Sequence, residues 1–133
     1  MHQKDIFRVF NAIDTADTET FVSFLSDDAV FRFGNMPAVE GKDNIRQFLN
    51  NWFPSIKCLE HDQIEIWEAD GVVIMNGRVT YTRHDNSQLS VYFANTFKMK
   101  GDKIKDYLIF VDASQLYAQG TEVPADASET ILN

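Results

Sequence analysis

Apolar residues follow two rhythms along this chain. Up to about residue 53 they recur every three or four positions, and from Lys57 onward they alternate with polar ones. The first rhythm lays an apolar stripe along a helix, and the second puts one face of a strand against a core. Ile6, Phe7, Val9, Phe10 and Ile13 predict a first amphipathic helix. Asp17, whose carboxylate can accept from a free first-turn amide, predicts the start of a second, with Phe21, Val22, Phe24 and Leu25 on its apolar face. After Gly41, residues Ile45, Phe48, Leu49, Trp52 and Phe53 keep the i, i+3, i+4, i+7, i+8 spacing of a third helix, which Pro54 ends. A short strand, Ala29 to Phe33, is expected between the last two helices, and four more at about 57–69, 72–85, 88–99 and 103–112. Asp70-Gly71 and Lys100-Gly101-Asp102 supply tight turns between them, and His84 to Gln88 a looser one.

Helices followed by a long meander make an α+β domain. The expected shape is a cone-like, curved antiparallel sheet whose pocket is closed by three N-terminal helices. Residues 1–117 would form this single domain, and the small, polar stretch 118–133 a C-terminal tail.

Strand parity says which side chains face the pocket. In the strand 72–85 the apolar positions are odd, ending in Val79 and Tyr81, while Asn76, Arg78, Thr80 and Thr82 are even. Extending the odd face reaches Arg83 and Asp85. In the next strand Leu89, Val91, Phe93, Phe97 and Met99 share a face with Asn95. The resulting ligand surface comprises Phe31, Phe33, Trp52, Tyr81, Phe93, Asn95, Tyr107 and Ile109, with Met75 and Val111 completing the apolar bowl. The last strand is apolar on both faces, with Tyr107, Ile109 and Val111 on one and Ile104, Leu108 and Phe110 on the other. That predicts an outer sheet face covered by a second copy of the protein, a homodimer. In strand 57–69, carboxylates at 60, 62, 65 and 68 break the alternation, so parity assigns no inner face to His61.

Composition narrows the partners. Of 133 residues, 44% are hydrophobic and 11 are Phe, enough to line a cavity as well as a core. A formal charge of −8 repels phosphate backbones, and no basic stripe offsets it, which argues against nucleic acid and anionic membrane as partners. No stretch has the length of a membrane span or the pattern of a secretion signal, so a cytoplasmic location is expected. One cysteine, Cys58, precludes an intrachain disulfide and is expected as a small buried hydrophobe. Three histidines without ligand spacing predict no metal site.

Four stretches carry a resemblance: Ala16-Asp17, Ser26-Asp27-Asp28-Ala29-Val30-Phe31, Glu40 to Phe48, and Gly101-Asp102-Lys103-Ile104 leading to Asp112. In these the chain resembles the SnoaL-like branch of the nuclear transport factor 2-like superfamily over residues about 3–117. The resemblance implies the cone fold, whose members include isomerases, cyclases, hydrolases and non-catalytic binders. Ketosteroid isomerases of this fold place a carboxylate base, a tyrosine and a carboxylic acid where Phe33, Val9 and the neighbourhood of Phe93 stand here, which argues against their chemistry. Arg83-His84-Asp85 is similar to the Arg-x-Asp of the limonene epoxide hydrolase group. That group's water-activating positions correspond to Ile109, Phe31 and Phe33, all apolar. The SnoaL-type cyclases use a His and an Asp as acid and base.

The expected activity is therefore cofactor-independent acid–base chemistry on a small apolar molecule, of isomerase, cyclase, hydrolase or lyase type. Arg83 would stabilise a developing oxyanion, and Asp85 would transfer the proton. The alternative is a binding or dimeric assembly module without catalysis. The two part on whether Arg83 and Asp85 open onto a cavity, and on whether Phe31, Phe33 and Trp52 fill it.

Overall fold

The computed structural model describes residues 1–117; the tail expected at 118–133 lies outside the described residues. Three helices, α1 (Gln3–Asp14), α2 (Thr18–Ser23) and α3 (Lys42–Trp52), precede or interrupt six strands. These are β1 (Leu25–Phe33), β2 (Val39–Glu40), β3 (Cys58–Ala69), β4 (Val72–Thr82), β5 (Gln88–Lys100) and β6 (Lys103–Val111). The strands form one curved sheet in the order β2-β1-β6-β5-β4-β3.

Local chemistry explains the helix ends. Asp17 caps α2, its Oδ1 accepting from the Thr20 amide at 3.2 Å. Gly41, at φ 91°, turns the chain from β2 into α3 while its amide donates to Ala29 O at 2.7 Å. Pro54 sits in a 3-10 turn, Phe53–Ser55, that closes α3. The apolar stripe of α1 (Ile6, Val9, Phe10, Ile13) and that of α3 (Ile45, Leu49) pack into the sheet's concave side. Phe21, Phe97 and Tyr107 meet there, with the Phe97 and Tyr107 rings 4.4 Å apart. Each such side chain, withdrawn from water, contributes roughly 1.5–3 kcal/mol.

Several features depart from the sequence expectation. The sheet is mixed, because β1 runs parallel to β6, pairing Phe31 with Tyr107 and Phe33 with Ile109. Leu25, expected on a helix, opens β1, and its register partner is Ile104. Two β-bulges reverse parity within single strands. In β3 the register to β4 shifts between Asp62 and Glu65, and Gln63 takes up the extra residue at φ 56°. Leu59 and His61 therefore share the inner face with Ile64 and Ile66. In β6 a shift opposite Lys98 and Met99 leaves Lys105 unpaired, so Ile104 turns inward and is fully buried instead of facing out. Cys58, at the head of β3, is exposed rather than buried.

Candidate active site

The helices and the concave sheet enclose a cavity at the centre of the cone. Its walls come from Ile13 of α1, from Phe48, Leu49 and Trp52 of α3, and from every long strand. All eight residues expected at the ligand surface line it, from Phe31 and Phe33 on β1 to Ile109 on β6, with Asn95 among them. Met75 is buried in the core outside the lining. Aromatic rings take up most of the space. Trp52 stands 5.4 Å from Phe33, 5.7 Å from Phe53 and 6.4 Å from Tyr81, centroid to centroid. The remaining void is about 30 Å³. At roughly 10–15 Å³ per water, that is room for about two waters. Phe33, Phe48, Trp52 and Phe53 are only partly buried, so the wall they form can yield without opening the core.

One polar pair belongs to this cavity, and strand parity had not oriented it. His61 lines the wall because the Gln63 bulge resets the parity of β3. Its Nδ1 lies 2.5 Å from Asp14 Oδ1, and its backbone amide donates to Asp14 Oδ2 at 3.1 Å. A carboxylate can only accept, so Nδ1 carries the proton, and in the neutral ring Nε2 keeps its lone pair. Among the described residues Nε2 has no hydrogen-bond partner. The imidazole is wedged between Phe10 at 4.7 Å and Phe93 at 5.3 Å, and its side chain is 10% exposed. Asp14 ends α1, so the helix, the strand and two hydrogen bonds together fix the ring's orientation. The signal for this pair was the broken alternation of β3 itself, odd at Leu59 and even at Ile64 and Ile66.

Further polar groups face inward. Asn95 is 2% exposed, and its Oδ1 is buried without a hydrogen-bond partner among the described residues. Tyr81 and Tyr107 are deeply buried, and burial, the largest cause, pushes both phenols far above their ordinary range, so both hold their protons. Neither hydroxyl has a hydrogen-bond partner among the described residues.

Arg83 and Asp85 stand elsewhere, and the structure does not bring them together onto the cavity. Arg83 keeps its inward parity and is buried, but its Nε donates to Leu116 O and its Nη2 to Gln115 O, both at 2.7 Å. Asp85 lies exposed in the β4–β5 turn, where its Oδ1 accepts from the Ser87 amide at 2.9 Å and from Ser87 Oγ at 2.6 Å. Those bonds, and only then the neighbouring Arg83, hold its carboxyl below the usual range. Arg83 Nη1 reaches Ser87 Oγ at 3.1 Å, so the serine bridges the two without a direct ion pair. The guanidinium is an anchor for the strap 113–117, and the carboxylate stabilises a turn. His84, also exposed, lies 2.7 Å from Pro54 O through Nε2.

Comparison with known proteins agrees with this architecture. A family model described as a SnoaL-like domain matches residues 6–107. No curated protein matches the sequence. Among solved structures, a proposed polyketide cyclase from Xanthomonas campestris pv. campestris is similar at a TM-score of 0.77 and 15% identity, covering 86% of this chain and 92% of that one. A protein from Catenulispora acidiphila with a ketosteroid isomerase-like fold, in complex with trimethylamine, gives 0.79 at 13% identity, covering 95% and 98%. A nuclear transport factor 2-like protein of unknown function from Burkholderia pseudomallei gives 0.79 at 12%, covering 90% and 96%. At such identities the likeness is one of fold. Among the described residues no helix is long and apolar enough to cross a membrane.

Proposed function

Because the chain belongs to the family of SnoaL-like domains, we propose that its cone binds a small, mainly apolar molecule and moves a proton on it. His61 is the acid–base group and Asp14 its positioning residue. The observation that carries this reading is the bare Nε2 of an imidazole held by a carboxylate inside an apolar wall. Nε2 takes a proton from an acidic C–H or O–H of the ligand, and Asp14 stabilises the imidazolium that forms, as a carboxylate does behind a catalytic histidine. The imidazolium then returns the proton to another atom of the same molecule. Isomerisation, ring closure and elimination can each be assembled from these two transfers, and neither transfer calls for a cofactor. A phenol hydroxyl of Tyr81 or Tyr107, protonated throughout, supports an oxyanion by donating to it.

The test is hydrogen–deuterium exchange α to the carbonyl of compact ring ketones such as 2-indanone and 2-tetralone, followed by proton NMR. Wild type should accelerate exchange over buffer, and His61→Gln should lower that acceleration by roughly 10²–10⁴. No acceleration by wild type, or equal acceleration by the variant, sinks the proposal.

The tightness of the cavity favours a second reading, a binding or assembly module without catalysis. A void of about 30 Å³ admits a ring only if Phe33, Phe48, Trp52 or Phe53 moves. The outer sheet face supports the assembly half of that reading, and a homodimer is compatible with either. Tyr92 is 77% exposed there, and Trp67, Ile74 and Phe110 are about half exposed. On a monomer these rings face water, whereas a second copy would cover them.

A further inference from the structure

Asn95 is out of place in its surroundings. On β5 it stands between the inward-facing Phe93 and Phe97, and its register partners on the two flanking strands are Met75 and Ile109. Its side chain makes no hydrogen bond among the described residues. Oδ1 is the one side-chain oxygen or nitrogen among them that is wholly enclosed, with no accessible surface of its own, and unpaired. A strand core position of this kind normally holds an apolar side chain, since an amide left unpaired in such a wall is costly. The amide also borders the same void as His61. Any amide can accept through Oδ1 and donate through Nδ2, whichever way round it sits.

We infer that Asn95 selects the ligand: the cone takes a compact ring compound bearing a hydroxyl, and that hydroxyl pairs with the Asn95 amide. This inference rests on the reading of the cone as a small-molecule site. A hydroxyl both donates and accepts, so it can satisfy Oδ1, which a bare ketone cannot. A carboxylate would bring a second acceptor and an unpaired charge into an apolar wall, which excludes it as the paired group. Phe31, Phe33, Trp52 and Phe93 line the same void and offer ring faces to a ring that displaces the partly buried wall, and the amide fixes which edge of it faces inward. Asn95 thereby sets which atom of the ligand lies near His61.

The experiment compares phenol with toluene, which match in size and differ in the hydroxyl, by NMR titration of wild type and Asn95→Val. Valine suits a strand and removes both the donor and the acceptor. The ratio of phenol to toluene affinity should fall at least fivefold in the variant, and a smaller change overturns the inference. If both compounds bind wild type and the ratio is unmoved, the inference fails while the pocket and His61 remain in play. If neither compound binds wild type, the small-molecule reading fails with it. The melting temperature of Asn95→Val should equal or exceed that of wild type, because an unpaired buried amide has been removed. A clear drop would mean that the amide serves the fold and would overturn the inference. Asn95→Ala, which cannot overfill the site, replaces the variant if valine prevents folding, and is judged on the same affinity ratio.

Discussion

Gly77 lies so close to Asp62 that a Cβ on it would stand 2.8 Å from the Asp62 carbonyl oxygen and 3.1 Å from the Phe93 ring. The contact sits opposite the Gln63 bulge, which turns His61 into the cavity. Only a residue without a side chain lets β4 approach the bulged strand there. Gly77→Ala must push back either the backbone of β3 or the ring of Phe93. The expected cost is about 1–3 kcal/mol in urea unfolding, with the His61 ring resonances shifting at the same time. Unchanged stability would show that the bulge tolerates displacement.

The hold of Asp14 on His61 can be read without a substrate. In nitrogen-resolved NMR of the imidazole, Nδ1 should carry the proton, and its N–H resonance should be protected from exchange. Asp14→Ala removes both hydrogen bonds, so that resonance should vanish and the ring should populate both tautomers. A persistent Nδ1–H in the variant would show that the tautomer is set by something other than the carboxylate.

Arg83 and Asp85 should behave as unlike residues in spite of their spacing. Arg83→Met leaves the carbonyls of Gln115 and Leu116 without their donor and should cost about 2–4 kcal/mol. The Leu116 amide, bonded to Ala113 O, should lose hydrogen-exchange protection at the same time. Asp85→Asn, in the exposed turn, should leave stability and the exchange of ring ketones nearly unchanged. A large loss of exchange activity in Asp85→Asn would return the proton-transfer role to that carboxylate.

Stability should fall at both ends of the pH scale, for opposite reasons. The Asp62 carboxyl is held low first by its hydrogen bonds from Arg78, and the Asp28 carboxyl by that from Ser26. Their stabilisation is complete above the unfolded carboxylate value of about 3.9 and is lost as pH falls through the lower folded values. Tyr81 and Tyr107 are raised by burial. Their contribution is complete below the unfolded phenol value of about 10 and is lost as pH climbs beyond it. Melting temperatures from pH 2.5 to 11 check both arms. Tyr107→Phe should flatten the alkaline arm.

If two copies meet through the outer face, Phe110→Glu and Ile74→Lys should each give a monomer in sedimentation at micromolar protein. A wild type that is already monomeric at that concentration removes the dimer.

Much of this was readable in the chain, and the exceptions share a cause. The stripes of α1 and α3, the inward odd face of β4 and the eight cavity-lining residues followed from periodicity, because a regular element repeats its geometry at every residue. Parity failed where one extra residue entered a strand. Gln63 hid the inner face of β3, and Lys105 made Ile104 look like a surface residue. The parallel course of β1 beside β6 is a long-range choice that no local pattern encodes. The same holds for Asp14 with His61, and for the partners of Arg83. Its parity was legible, but the carbonyls it meets belong to a segment more than thirty residues away.

The parallel seam between β1 and β6 also governs when this protein can become itself. The hairpins of β3 to β6 join neighbours in the chain and can form as soon as each strand is available. The pairing of Val30 with Asp106 must wait for almost the entire domain. On a ribosome, Phe31 therefore has only Val39 of β2 beside it, and Phe33 has no sheet partner, until β6 has emerged, and long-range closure of this kind is slow. A chain that stops before Lys103 keeps its helices' apolar stripes and has no completed wall to lay them on.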